Sequence, residues 1–164
     1  MADVKLNVDA WEKMAAAIAD AANPREVDAL KVRIVKQLGA VYLARAKRLT
    51  PVGARGTVTM KNGRKIKIKT EHMRRAWDAG NVERGRLSTS VRISNSASYA
   101  SFVNDGHRQQ PGQFVPILGK RLVANFVEGL HIAEAAQAEV EAKAKGIAER
   151  ESGRWARRLK NGGD

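Results

Sequence analysis

Residues 23–51 read NPREVDALKVRIVKQLGAVYLARAKRLTP, and this stretch decides the core of the fold. Asn23 is a good helix N-cap, Pro24 suits the first helical position where its missing N–H is no loss, and Glu26 can close a capping box. Val27, Leu30, Ile34, Leu38 and Val41 then recur every three or four residues, the period of one helical face. Thr50-Pro51 ends the run, because the residue before a proline is pushed out of helical conformation. The spacing predicts a long helix reaching Leu49. Its other face carries Lys31, Arg33, Lys36 and Arg45, which reads either as a solvated face or as one turned to an acidic partner.

Upstream, Asp9 and Glu12 can form a capping box, and Trp11, Met14 and Ile18 follow at helical spacing, so a short helix is expected from Asp9 to about Ala22. Downstream, Thr57 to Lys69 reads as a hairpin around Asn62-Gly63. A two-residue loop would pair Met60 with Lys65 and mix apolar with charged side chains on one face. A three-residue loop, Lys61-Asn62-Gly63, pairs Val58 with Ile66. It gathers Val58, Met60, Ile66 and Ile68 on one face, with Gly63 in the left-handed bulge position. Lys65, Lys67 and Lys69 then share the opposite face. Two strands with one apolar face do not stand alone, so the hairpin should project and lean on a neighbour.

Farther on, Glu71 to Trp77 reads as short helical or irregular structure. Val82 and its neighbours form a candidate strand. Leu87, Thr89, Val91 and Ile93 alternate with polar residues as a half-buried strand does. Ala97 to Asp105 reads as a short helix closed by Gly106, which permits a left-handed turn. His107 to Gln113 reads as a loop. Pro116 is expected to open a long final helix with Leu118, Leu122, Phe126, Leu130, Ala133, Val140 and Ile147 at helical spacing. The expected architecture is α+β: long N-terminal and C-terminal helices packed on a small antiparallel sheet. A single domain covers 1–152 with a basic hairpin inserted at 55–70, and a basic, flexible tail follows at 153–164.

Composition narrows the function. Of 164 residues, 43% are hydrophobic, so the chain has material for a core. No apolar run approaches the ~20 residues of a membrane helix, and the N-terminus lacks the layout of a secretory signal. The absence of cysteine removes disulfides and thiolate metal sites. The net charge of +13 points to a polyanion or an acidic protein surface as partner. That charge is clustered: every charged residue from Lys31 to Arg48 is basic, and four more bases lie between Arg154 and Lys160.

Chemistry is hard to place. Of the three histidines, His72, His107 and His131, only His131 has carboxylates one helical turn away, Glu128 and Glu134, and such spacings arise by chance in a Glu-rich helix. Ser94, His107 and Asp105 can be drawn as a triad, but nothing resembles a nucleophile elbow. Gly80 to Gly85 does not match a phosphate-cradling loop. Glu139 and Glu141, two apart, fall on different helix faces. No catalytic residue, cofactor or metal site is assigned. For nucleic acid, Trp155 among Arg154, Arg157 and Arg158 is the clearest aromatic set among bases. No recognition element for sequence readout is present.

Four segments, in order, resemble a family of small tail-completion or neck proteins of long-tailed bacteriophages. They are Ala46-Lys47-Arg48-Leu49-Thr50-Pro51-Val52-Gly53; Met73-Arg74-Arg75-Ala76-Trp77; Val91-Arg92-Ile93-Ser94-Asn95 leading to Tyr99 through Arg108; and Gln113-Phe114-Val115-Pro116. The order matches over roughly residues 27 to 145. The insertion Arg55–Thr70 and Asn104, where the family often has Glu, are departures. The resemblance implies a structural virion protein without enzymatic activity, assembled in the host cytoplasm. It implies a hexameric ring that joins the head connector to the tail and surrounds the DNA channel. Its partners would be itself, a head-side connector or closure ring, a tail terminator or tail-tube ring, and genomic DNA in passage. The rival readings are a tail terminator or head-closure protein of the same neck, or a basic DNA-binding protein acting outside a virion.

On that reading Trp77, Tyr99, Phe102 and Phe126 are core residues, and Pro51, Gly63, Gly106 and Pro116 are turns or helix stops. Lys65, Lys67 and Lys69 face the DNA channel or a partner ring.

Overall fold

The computed structural model describes residues 4–5, 23–52, 56–59, 65–68, 71–85, 88–115 and 119–160. The short helix read over Asp9 to Ala22 lies outside them, as do Lys69, Gly63 and Pro116. The fold class is as read: α+β, with long helices toward both ends and a small antiparallel sheet between them.

Helix α1 spans Pro24–Leu49, with Asn23 accepting a hydrogen bond from the backbone N–H of Arg25 and Thr50 as C-cap. It is buried on two sides. Beyond the stripe read from the sequence, Val32, Val35, Gly39, Tyr42 and Ala46 are also buried. At Gly39 the sheet comes close: an added Cβ would stand 3.3 Å from Val91 Cγ1. The sheet consists of β1 (Val4–Lys5), β4 (Trp77–Arg84) and β5 (Thr89–Asn95), antiparallel in the order β1-β5-β4. A register shift interrupts the β4–β5 ladder between Ala79 and Val82. Thr89, Val91 and Ile93 of β5 are buried, as the alternation of the sequence reads, and Ser90, read among the polar positions between them, is buried too. The one-turn helix α2, His72–Arg75, leads into β4.

The inserted hairpin pairs β2 (Gly56–Thr59) with β3 (Lys65–Ile68), and its register sets Val58 opposite Ile66. This is the register that apolar grouping selects over the two-residue loop. The chain then forms α3 (Ala100–Asp105) and leaves the body in a ribbon. Strand β6 (Gly106–Arg108) pairs with β9 (Phe126–Glu128), and β7 (Phe114–Val115) pairs with β8 (Lys120–Arg121). Between them, Gln109 N donates to Asn125 O at 2.8 Å and Gly112 N to Leu122 O at 2.8 Å, so the two short ladders form one arm.

Helix α4, Ile132–Lys160, closes the fold. It does not start near Pro116, as the apolar spacing suggests. Leu122 and Phe126 belong to the arm, where inter-strand hydrogen bonds satisfy the backbone that a helix would otherwise satisfy internally. Nor does the chain fray at Gly153. That glycine lies inside α4, and Trp155 beyond it is buried in the core with 7% of its surface exposed. Trp155 is therefore not free to stack on bases. The core cluster joins Leu38 and Tyr42 of α1, Val91 and Ile93 of β5, and Ile132, Ala136, Val140, Ile147 and Trp155 of α4.

Candidate assembly interface

The motifs that stand out in the sequence meet at two buried junctions. At the first, Thr50 ends α1 with its hydroxyl turned back on the helix. Its Oγ1 donates to Ala46 O at 2.7 Å and accepts from Trp77 Nε1–H at 2.8 Å. Arg74 Nη2 donates to Thr50 O at 3.1 Å. Trp77 is 3% exposed and meets Tyr42 edge-on, ring centroids 6.1 Å apart. The Thr-Pro and Arg-Arg-Ala-Trp segments are thus two halves of one lock between α1 and β4. Asn95 extends it, donating to Met73 O at 2.9 Å while its Oδ1 accepts from Ala97 N at 3.0 Å. Burial pushes the Tyr42 hydroxyl up to about 12, with the Glu134 carboxylate adding to the effect.

The second junction holds the root of the arm. Asn104 is buried, and its Oδ1 accepts from Ala133 N at 2.9 Å, the role an N-cap side chain plays in the first turn of a helix. Its carbonyl accepts from His131 N at 3.0 Å, fixing His131 at φ 47, just ahead of α4. His131 is therefore an exposed cap-position residue and not part of a helix as the sequence suggests. Gly106 sits at φ +81 where the chain turns into the arm, as expected of its turn, and a Cβ there would approach Val127 O to 2.5 Å. The α4 cap could not be read locally, because the residue supplying it is 29 positions upstream.

A third connection ties α1 to α4 lengthwise. The Glu151 carboxylate is buried, accepts from Gln37 Nε2 at 2.8 Å and Arg154 Nη1 at 2.7 Å, and lies 3.8 Å from Arg33 Nε. The Gln37 hydrogen bond, the largest influence, and then Arg154 and Arg33 hold it below the usual carboxylate range, against the opposing effect of burial. Arg45 pairs with Glu139 at 3.7 Å. Two of the four bases read on the outer face of α1 therefore serve an intramolecular seam.

What these junctions carry outward is apolar. Of the four residues read as core, Trp77 alone is. Tyr99, Phe102 and Phe126 are exposed, Phe102 to 56% and Phe126 to 47%. Ala100 and Asn104 are the buried residues of α3, while Phe102 is exposed on it, Tyr99 is exposed at its N-cap and Phe126 is exposed on the arm. Phe102 rests on His107, centroids 5.7 Å apart, and Tyr99 on His72 at 5.9 Å. Phe114, Val123, Val127 and Leu130 are exposed as well. Pro51 follows the α1 cap and is exposed. Lys65 and Lys67 lie on β3 of the basic hairpin. Ser94, Asp105 and His107 lie on separate elements, and no hydrogen bond links them as a triad. Among the described residues no group of three His, Cys, Asp or Glu is placed to hold a metal ion. No helix there is long and apolar enough to cross a membrane.

Residues 12–106, more than half of the chain, match the family model of bacteriophage HK97-gp10-like tail components. The match takes in both halves of the Thr50–Trp77 lock and stops where the arm begins. It begins earlier than the resemblance read over roughly 27 to 145 and ends earlier, leaving out Gln113 to Pro116. No curated protein and no solved structure matches the chain.

Proposed function

The chain belongs to the HK97-gp10-like family of bacteriophage tail components, and from that premise we propose that it is a structural ring subunit of the virion neck. On this reading copies of the chain, six by the resemblance, close around the DNA channel, complete the tail and join it to the head connector. The observation that carries the reading is the family membership. The exposed aromatic and aliphatic side chains of α3 and the arm support it, because large apolar side chains left in water are candidates for burial against a partner. The net charge of +13 suits a ring around DNA, since phosphate attraction needs no sequence readout. The proposed role is one of shape and contact, not catalysis.

The test is genetic and structural. Particles produced without the chain should accumulate as filled heads and separate tails in electron micrographs, and added purified protein should restore joining. Normally joined particles without it would overturn the reading. The basic hairpin can be tested in the same assay. If Lys65, Lys67 and Lys69 face the channel or an acidic ring, the triple Lys→Ser change should slow joining, more so at low salt, because charge complementarity acts chiefly on association rate. Normal joining at low and high salt would leave those lysines as a solvated strand edge.

A further inference from the structure

We propose that the outer face of the last turns of α4, carrying Arg150, Arg157 and Arg158, lies along the phosphate backbone of the duplex DNA that the ring encloses. The inference rests on the neck reading above and names the surface that would be turned to the channel.

The sequence marks this region by a tryptophan among arginines, and the structure divides that set in two. Trp155 belongs to the core cluster, with 7% of its surface exposed, and fixes the end of α4 on the body. Arg150, Arg154, Arg157 and Arg158 are exposed around it. They stand at i, i+4, i+7 and i+8, so they share one side of the helix over about 12 Å. Arg154 is bound to Glu151 at 2.7 Å. Glu151 is the one acid between Arg150 and Arg158, it is buried, and Gln37 and Arg33 share it. Glu149, just ahead, lies 4.0 Å from Lys145. Arg150, Arg157 and Arg158 form no ion pair among the described residues. Three guanidinium groups are thus held on an anchored helix with their charge uncompensated.

Two glycines lie on the same side, Gly146 four residues before Arg150 and Gly153 four before Arg157. Glycine inside a helix is less stable than alanine, and the packing of the chain does not require it here. Nothing lies within 4 Å of a Cβ built at Gly153, and a Cβ at Gly146 would meet the flexible end of Arg150 at 3.4 Å. Between the arginines, these glycines let a polymer backbone come close to the helix.

The make-up of the face selects the partner. Protein interfaces centre on aromatic and aliphatic anchors. Among the described residues every exposed large apolar side chain lies between Tyr99 and Leu130, and none is on α4. Arginines without such anchors suit a duplex backbone, which carries one charge for about every 1.7 Å of its axis, so each of the three finds a phosphate whatever the sequence. With Trp155 buried, this face presents no ring to stack on bases, as suits a contact along which DNA slides.

The test is binding of the full-length chain to a duplex of random sequence, read by fluorescence anisotropy over a range of salt. Arg150→Gln with Arg157→Gln and Arg158→Gln should weaken binding about tenfold or more at low salt and lower the salt slope by about 3. Arg150→Lys with Arg157→Lys and Arg158→Lys keeps the charge and should keep most of the slope. Removing as many charges from the arm, by Arg108→Gln, Lys120→Gln and Arg121→Gln, should change both quantities far less. Equal losses in the α4 and arm variants would overturn the proposal by showing bulk charge and no dedicated face. Undiminished binding by the α4 glutamine variant would overturn it too, and failure of that variant to join heads to tails would then assign the face to an acidic protein ring. In either case the neck reading stands as long as particles made without the chain fail to join.

Discussion

The body and the arm spend their aromatic residues in opposite ways. In the body, Trp77 is sealed against Tyr42 and its one polar atom is bonded to Thr50. Around the arm, Phe102 and Phe126 are comparably apolar, yet about half of each side chain meets water. A single chain gains stability from the first arrangement and very little from the second. On the proposed ring reading, the difference separates residues that make the fold from residues kept for assembly, and variants in the two regions should fail in different ways.

The largest effect belongs to the lock. Trp77→Ala removes a buried ring and leaves Thr50 Oγ1 without its donor, and it should cost about 3–5 kcal/mol in urea unfolding. Trp77→Phe keeps most of the packing, loses the hydrogen bond, and should cost markedly less. Equal losses for the two would mean that the bond to Thr50, and not the packing, holds the junction.

Next comes the joint between the two regions. Asn104→Ala removes the cap on Ala133 N–H, and the expected cost is about 1–2 kcal/mol, typical of a lost N-cap. Amide exchange should quicken in the first turn of α4, from Ile132, while the Thr50–Trp77 region is unchanged. Uniform acceleration across the chain would show that arm root and body unfold together and would blur the distinction drawn here.

These sites also show how far the sequence could be read. Helix α1, the strand at Thr89 to Asn95 and the hairpin register follow from local periodicity, turn chemistry and the face-swapping effect of a one-residue slip. The start of α4 does not, because its cap comes from Asn104 across the fold, and Leu122 and Phe126 fall at helical spacing within a ribbon. Exposure of Tyr99 and Phe102 is invisible as well. Their spacing fits a core, but the small residues Ala97 and Ala100 take the buried positions of this segment and leave the two rings exposed. The fate of Arg33 and Arg45 depends on which face of α4 arrives, which the basic pattern of α1 cannot tell.

A smaller effect on the body comes from pH. The folded state holds Glu151 below its ordinary pKa, so the unfolded chain takes up the proton first as the solution is acidified. This stabilisation is complete above the ordinary glutamate value, about 4.3, and is lost as pH falls through the folded value. Glu151→Gln should therefore lower the thermal midpoint at neutral pH and flatten its fall below about pH 4.3. An acid limb unchanged in the variant would place the titration on other carboxylates.

The smallest effect on stability should come from the arm, and there the comparison is sharpest. Val123 is 91% exposed, so Val123→Ser gives up almost no buried surface within one chain. Surface changes of this kind typically shift stability by less than about 0.5 kcal/mol. In a closed ring the same side chain would be repeated at every subunit contact, so a loss too small to see in the monomer is multiplied around the assembly. Urea unfolding of the isolated chain should therefore superimpose on that of the unchanged protein, while sedimentation at matched concentration shows fewer rings. If the variant assembles normally, Val123 lies outside the contact. If it unfolds earlier as a monomer, the arm supports the body after all, and the division between folding residues and assembly residues fails at its most exposed position.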